Sequence, residues 1–581
     1  MSYLKKILII VFCVFMIIGC QSSQVQVQDQ DQDKEEEPFV PEAGARVQVP
    51  DEPPRDDSSD RDYAEMRPNA VNLEELTVAF SRHDIELDFR KSYFASEAQI
   101  FTAIYEGLFS YHPRTLEPVP ALAERWELSE DKMQWTFTIR RGARFWNGDA
   151  VRAEDFRAAW ISLLEPERDS PYSSMFDVIQ GARDYRNGIN RDPDSVGIRA
   201  ADQRTLVINL SSPASFFPAM LCHHSFSPIH SSMLNNNHWA PREKQTNWNP
   251  PVSNGPFRIV TMNEDNIVME KNNYYWDQNN VSLKKLVIAF TDNADDAAAL
   301  WNSGSARWIA GDVNIDALTD RSGIQINVMF ATHYYFIRSS QPPFNDHRVR
   351  RAMALALPYD DIRGNYYLPA ETLIYPITGY PEVKGINAPN NVEARRLMAE
   401  AGYANTYGLP EIVIRIVPSN DAARVAALMA NAWREALGLN VRIQVVPFAL
   451  YYDSMKDDGY TVASTTWIGD FADPYAFLQM WRRDSNLNDA RLNDPDYETL
   501  IERSMLQEGQ ARLATLAEAE KLLLDRGVIL PIYYSPALNI IDTGELDGWY
   551  PNALDIHPFK YIEFRTFRPL PGVAMLIKSI D

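Results

Sequence analysis

The sequence predicts an α/β protein, and three observations carry that expectation. Apolar residues alternate with polar ones, as in half-buried strands, over 76–80, 135–140 and 205–210. Apolar residues recur at helical spacing over 97–106 and 420–437. Between 411 and 446 the order is strand, helix, strand, which implies a parallel β-α-β unit.

The elements run as follows. Lys5 and Lys6 precede an unbroken run of 12 apolar residues, 7–18, too short for a spanning helix of about 20 residues. It fits the apolar region of a secretory signal. The run closes with Ile17-Ile18-Gly19-Cys20, which resembles the bacterial lipobox, where cleavage leaves a Cys whose sulfur carries diacylglycerol. An uncleaved anchor is the plainer alternative. The stretch 20–70 holds Gln-Asp repeats, Glu35-Glu36-Glu37 and several prolines; its 14 acidic and 5 basic residues leave −9 of the chain's −23 there. So little apolar surface cannot offset the entropy of ordering, and an extended acidic tether is expected.

From about Leu73 the texture becomes globular. A strand at 76–80 leads to a helix at 97–106 that runs into Gly107. Ala153-Glu154-Asp155-Phe156 opens a helix with acids in its first turn, where the dipole favours them. Later, Gly438 stops the helix 420–437 and a strand resumes at 441–446.

The 581 residues are 45% hydrophobic with 13 Trp, 27 Tyr and 26 Phe, enough for sizeable cores and roughly three or four globular units. The net acidity argues against nucleic-acid binding, which relies on Lys and Arg to displace counterions. Three Cys cannot build a disulfide scaffold, and Cys222 reads as a small packed residue.

A series of motifs then resembles a family. Tyr105-Glu106-Gly107-Leu108-Phe109, Pro120-Ala121-Leu122-Ala123-Glu124-Arg125-Trp126-Glu127 and Arg141-Gly142-Ala143-Arg144-Phe145-Trp146-Asn147-Gly148 come first. Asn254-Gly255-Pro256-Phe257, Lys271-Asn272-Asn273-Tyr274-Tyr275-Trp276-Asp277 and Pro342-Pro343-Phe344-Asn345-Asp346-His347-Arg348-Val349-Arg350 follow. Ala399-Glu400-Ala401-Gly402-Tyr403 and Ile529-Leu530-Pro531-Ile532-Tyr533-Tyr534 complete the set. In order and spacing these resemble the oligopeptide- and dipeptide-binding receptors of ABC peptide importers.

The resemblance implies a two-lobed clamp of the periplasmic-binding-protein type II, with an extra small domain and a hinge between lobes. Lobe I would comprise 71–106, 229–330 and 536–581, the accessory domain 107–228, and lobe II 331–535. It implies an extended oligopeptide in the cleft, transfer to a membrane permease with separate ATPase subunits, a monomer, no cofactor, no metal and no catalysis. Tethering to a bacterial membrane would run through Cys20. The chain just before the Tyr105 motif, Tyr93, Phe94 and Ala95, would pair with peptide main chain, although Tyr93 and Phe94 also read as core aromatics. The segment Thr465-Thr466-Trp467-Ile468-Gly469-Asp470 matches the family's Trp-x-x-Asp loop. It implies that Asp470 meets the ligand's ammonium and Trp467 lines the cleft; a turn cap and a core Trp are the plainer readings. Asp473, before Pro474, reads as a turn organiser.

Two departures stand out. Ser464 and Ala423 occupy positions where relatives carry an Arg and a His that meet a ligand carboxylate, which leaves Arg424 as a candidate. Arg307 replaces an Asp in a Gly-x-x-Asp motif. The His group (His223, His224, His230, His238) has no tight metal spacing, and Walker, His-Glu-x-x-His and Gly-x-Ser-x-Gly motifs are missing. Alternatives are a binding protein for a nickel chelate, haem, sugar or murein peptide, an adhesion protein on the same fold, and a hydrolase.

Overall fold

A computed structural model describes residues 73–565 apart from 236–238, 240–247, 365, 367, 406 and 407. The leader, Cys20, the acidic stretch 20–70, His238 and residues 566–581 lie outside the described residues.

Ten strands form one sheet that serves both lobes of an α/β clamp. In one half, Glu75–Ser81 lies between Lys285–Thr291 and Trp308–Ile309, parallel to both. Asn266–Lys271 and Phe257–Met262 continue this half antiparallel to its edge. In the other half, Ile412–Ile416 lies between Val441–Val445 and Val462–Ile468, again parallel to both. Two long antiparallel strands, Ile324–Ile337 and Ile529–Ile541, belong to both halves. Their ladder loses register between Val328, opposite Pro536, and Thr332, opposite Tyr534. Pro536 has no N–H to give to the ladder, and a second irregularity follows between His333 and Tyr334.

The strands expected at 76–80, 135–140, 205–210, 411–417 and 441–446 are present as Glu75–Ser81, Gln134–Ile139, Thr205–Asn209, Ile412–Ile416 and Val441–Val445. The helix Asn420–Leu437 begins at Ser419, whose side chain accepts from the Ala422 N–H. It ends at Gly438, whose φ of 69° suits a residue without Cβ. Its buried face (Val425, Ala426, Met429, Ala430, Trp433) follows helical spacing, and Trp433 Nε1 donates to the Met353 carbonyl at 2.8 Å. Asp346 caps the helix His347–Leu355, its side chain accepting from the Arg348 N–H at 2.8 Å. A separate antiparallel sheet, in the order Ala123–Leu128, Gln134–Ile139, Thr205–Asn209, Ile198–Ala200, packs on the helix Ala153–Leu164. Trp126, Trp135 and Trp160 are buried there. Arg307, the departure from the family's Asp, forms an ion pair with Glu545 at 3.2 Å.

The Asn-Gly-Pro-Phe motif has a physical reason. A Cβ on Gly255 would sit 2.4 Å from the Ile104 carbonyl carbon, so only glycine lets this strand approach the end of the helix Ala95–Ile104. Asn254 then donates to the Glu106 carbonyl at 2.8 Å, and Asn272 donates to the Gly255 carbonyl at 2.9 Å. Together they set the position of Glu106. Its carboxylate is buried against Lys560 at 2.8 Å and accepts from the Tyr275 hydroxyl at 2.6 Å. The Glu106 carboxylate holds the Lys560 ammonium charged against the cost of burial, and the ammonium also lies 5.0 Å from the centre of the Tyr561 ring.

A buried pair of this kind is costly to break from one side. Lys560→Met should lower unfolding free energy by roughly 3–5 kcal/mol, because it strands the Glu106 carboxylate. Glu106→Gln with Lys560→Met should recover much of that loss in urea titrations.

Candidate functional site

A cavity of about 720 Å³ lies between segments far apart in the chain. One wall is the helix start Tyr93, Phe94 and Ala95 with Phe101 and Tyr105; a second is Tyr111, Tyr172, His223 and His224. The third comes from Tyr452, Trp467, Asp470 and the loop 483–491. Of the residues singled out from sequence, Asp470, Trp467, Tyr93, Phe94 and Ala95 are brought to this one cavity. Arg424 is not. It lies on the helix Asn420–Leu437, pairs with Asp421 at 3.0 Å and donates to the carbonyls of Asp361 and Ile362. Its guanidinium is engaged outside the cavity.

The strand Val462–Ile468 delivers Trp467 and then turns at Gly469. A Cβ on Gly469 would meet the Phe330 ring at 2.5 Å, so glycine allows the turn to close against that ring. The next residue is Asp470. Asp473 then accepts from the Tyr475 N–H at 2.8 Å and pairs with Arg512 at 2.8 Å, which holds the turn as its sequence position suggests. Trp467 Nε1 donates to the Ala476 carbonyl at 3.2 Å, which locks the indole against the same turn.

Asp470 is buried, and its electrostatics are unusual for an acid. Among the described residues, the one basic group within 4 Å is His223, whose Nε2 lies 3.8 Å from Oδ1. Burial pushes the His223 imidazole down to about 3, so it is neutral at pH 7. Oδ2 has no hydrogen-bond partner among the described residues. Burial raises the Asp470 carboxyl well above the usual carboxylate range, and the nearby Tyr172 hydroxyl offsets only part of this. The site holds an acid without a protein cation to balance it. A bound cation would supply that balance.

Aromatic rings close the cavity across the cleft. Tyr93 stacks on Phe94 at 4.7 Å, and both meet Tyr452 edge-on at 5.9 and 5.6 Å. The Tyr111 hydroxyl donates to the Asp470 carbonyl at 3.2 Å. Sequence reasoning missed Tyr452, Tyr172, His223 and the loop 483–491 as wall residues. No local pattern marks them, because each becomes a wall only when distant segments meet.

Charge fastens the same cleft. Arg183 Nε donates to Asp484 Oδ2 at 2.8 Å, and Arg186 Nη1 donates to the Asp484 carbonyl at 2.5 Å. Arg186 is itself held by buried Asp177 at 2.7 Å. Asn486 Nδ2 reaches the Ser170 carbonyl at 2.7 Å. Burial alone would raise the Asp484 carboxyl, but the Arg183 hydrogen bonds and the Arg186 charge hold it well below the usual range.

With this geometry in view, the family assignment follows from the chain's match to a known family description. Residues 117–489 match the bacterial extracellular solute-binding proteins, family 5 Middle. The chain belongs to the family 5 bacterial extracellular solute-binding proteins. It is 25% identical to the Bacillus subtilis dipeptide-binding protein DppE over 77% of this chain and 83% of that one. It is 28% identical to the Escherichia coli periplasmic oligopeptide-binding protein OppA over 80% and 89%. In structure it resembles the E. coli murein tripeptide-binding protein MppA, with a TM-score of 0.75 at 24% identity over 85% and 99%. It also resembles Haemophilus influenzae OppA in complex with RPPGFSPFR, with a TM-score of 0.74 at 20% identity over 86% and 100%. At these identities the structural likeness establishes the two-lobed fold. Among the described residues, no helix of this family 5 protein is long and apolar enough to cross a membrane.

The charged contact across the cleft makes a measurable prediction. Arg183→Gln should favour an opened form by on the order of 1 kcal/mol, modest because Arg183 is partly exposed and screened. The radius of gyration from solution scattering should rise, and added salt should mimic the change in the parent protein. Since the Asp484 carboxyl is depressed, its contribution is present above the ordinary carboxylate value and is lost only as pH falls through the lower bound-state value. Scattering between pH 7 and pH 5 should therefore show no opening.

Proposed function

We propose that this solute-binding protein captures peptides in the cavity, pairs their α-ammonium with Asp470, and hands them to an ABC permease driven by separate ATPase subunits. The observation that carries the reading is the buried Asp470 carboxyl, which has only a neutral imidazole as basic neighbour within 4 Å among the described residues. A free peptide brings a cation at one end and an extended backbone that the chain at 93–95, on the cavity wall, would meet. The relatives DppE, a dipeptide-binding protein, and OppA, an oligopeptide-binding protein, support this reading.

Lobe I (71–106, 229–330, 536–581), with the accessory domain 107–228, would close on lobe II (331–535) by bending where the ladder between the two long strands changes register. Closure would exclude water and strengthen each polar contact inside. Cys20 would carry the lipid that tethers the protein to the outer face of a bacterial membrane, with the acidic stretch as spacer.

Asp470→Asn should weaken free-amine peptides by roughly 2–5 kcal/mol, the scale for a desolvated charge pair. N-acetylated peptides should bind the parent protein poorly and be nearly indifferent to the substitution. Calorimetry with both peptide forms decides; equal affinity for the two would remove Asp470 from this role.

The pH dependence has a definite sign. Burial favours protonated Asp470, whereas a bound ammonium would favour the carboxylate. Binding should release a proton in the pH range between those two states, and affinity should rise with pH across that range and level off above it. Calorimetry in buffers of different ionisation enthalpy should detect the proton, and Asp470→Asn should abolish it.

A further inference from the structure

The cavity has a second charged end. Nine ionisable carboxylates and amines or guanidinia line it, and several are already matched. Glu106 holds Lys560, and Asp484 is gripped by Arg183 and Arg186. Asp470, Asp169 and Asp489 remain among the acids, and Lys456, Arg483 and Arg491 among the bases. None of these three cations has a side-chain hydrogen bond or an ion pair within 4 Å among the described residues. Burial pushes the Asp489 carboxyl up to about 6, against the pull of Arg491, Arg338 and Lys456. As a single acid it offsets at most one of these cations.

The loop that carries the two arginines is rigidly held. Asn488 donates to the carbonyls of Arg482 at 3.1 Å and Leu492 at 2.8 Å, and accepts from the Leu492 N–H at 2.9 Å. This staple ties the loop's start to its end. Arg491 sits inside it at φ 51°, a backbone conformation that disfavours any residue with a Cβ. Glycine or asparagine would suit the turn better, so the turn itself gives no reason for an arginine. A guanidinium presented to the cavity does, because its planar fork matches a carboxylate.

We propose that Lys456, Arg483 and Arg491 form an anion-binding pole of the cleft that takes a carboxylate of the bound molecule. This rests on the peptide reading above, and it assigns the role that Arg424, engaged outside the cavity, leaves open. The carboxylate has two possible sources in a peptide, its C-terminus or an acidic side chain. The pole also makes the cleft dipolar, with an acid at Asp470 and bases at the loop, which suits a zwitterion in one direction only.

The test is calorimetry on the full chain with an alanine oligopeptide series. Each length is supplied as free acid and C-terminal amide, together with amides ending in Glu or Gln. At least one length of free acid should bind roughly tenfold or more tighter than its amide, the scale of a hydrogen bond to a charged group. Alternatively, the Glu-ended amide should exceed the Gln-ended amide by the same factor, which assigns the side-chain source. Arg483→Gln with Arg491→Asn, the latter chosen because Asn tolerates positive φ, should erase that preference, bringing the ratio of acid to amide affinity close to one. A thermal melt matching that of the parent shows that the variant is folded. Equal binding of acid and amide by the parent at every length, with no Glu preference, would overturn the proposal and leave the peptide reading standing. A preference that survives the double substitution would also overturn it. If no peptide binds the parent protein, both readings fall.

Discussion

A carboxyl group buried beside a cavity without a protein cation is the constraint on which the rest of the site turns. Asp470 has a neutral imidazole at 3.8 Å and an oxygen without a partner. A stably folded protein normally pairs or hydrogen-bonds such a group, because the charged form is costly away from water. The surrounding structure spends considerable effort keeping Asp470 where it is. Gly469 admits the Phe330 ring, Asp473 is clamped by Arg512, and Tyr111 holds the Asp470 carbonyl. A group held this firmly and left electrically incomplete is suited to a partner that arrives from outside.

The other ion pairs around the cleft have a different character. Glu106 and Lys560 neutralise each other within the fold, and Glu106 accepts a further hydrogen bond from the Tyr275 hydroxyl, so they serve stability. Asp484 with Arg183 and Arg186 joins two walls of the cavity, so its strength bears on how readily the walls part. The same chemistry thus does three jobs, and burial with pairing decides which. A fully paired interior charge is structural, a paired charge across the cleft is a fastener, and an acid on the wall without a partner cation is available to a ligand.

The two long strands explain how such a site can be both firm and able to open. Each half of the sheet has its own parallel core strands, Glu75–Ser81 in one and Ile412–Ile416 in the other. Only Ile324–Ile337 and Ile529–Ile541 run through both, and their ladder is interrupted next to Pro536. Two such halves, joined by a ladder with two irregularities, favour bending between the halves over deformation within either.

Much of the fold was legible in the sequence, since periodicity and capping are local. The helix Asn420–Leu437 ends at Gly438 because a positive φ is needed there, and the strands at 75–81 and 134–139 follow their alternation. The Trp467–Asp470 stretch was also readable, through its likeness to a family loop. The sequence could not rank its cations. Arg424 and Arg491 look alike as letters, yet one is satisfied by Asp421 and two carbonyls, while the other lines the cavity from a turn stapled by Asn488. Likewise, nothing local couples Tyr93 to Tyr452 or Asp470 to His223. Local order is written in short-range patterns, but burial, pairing and the free valence of a charge depend on which distant segments meet, and only the tertiary structure decides that.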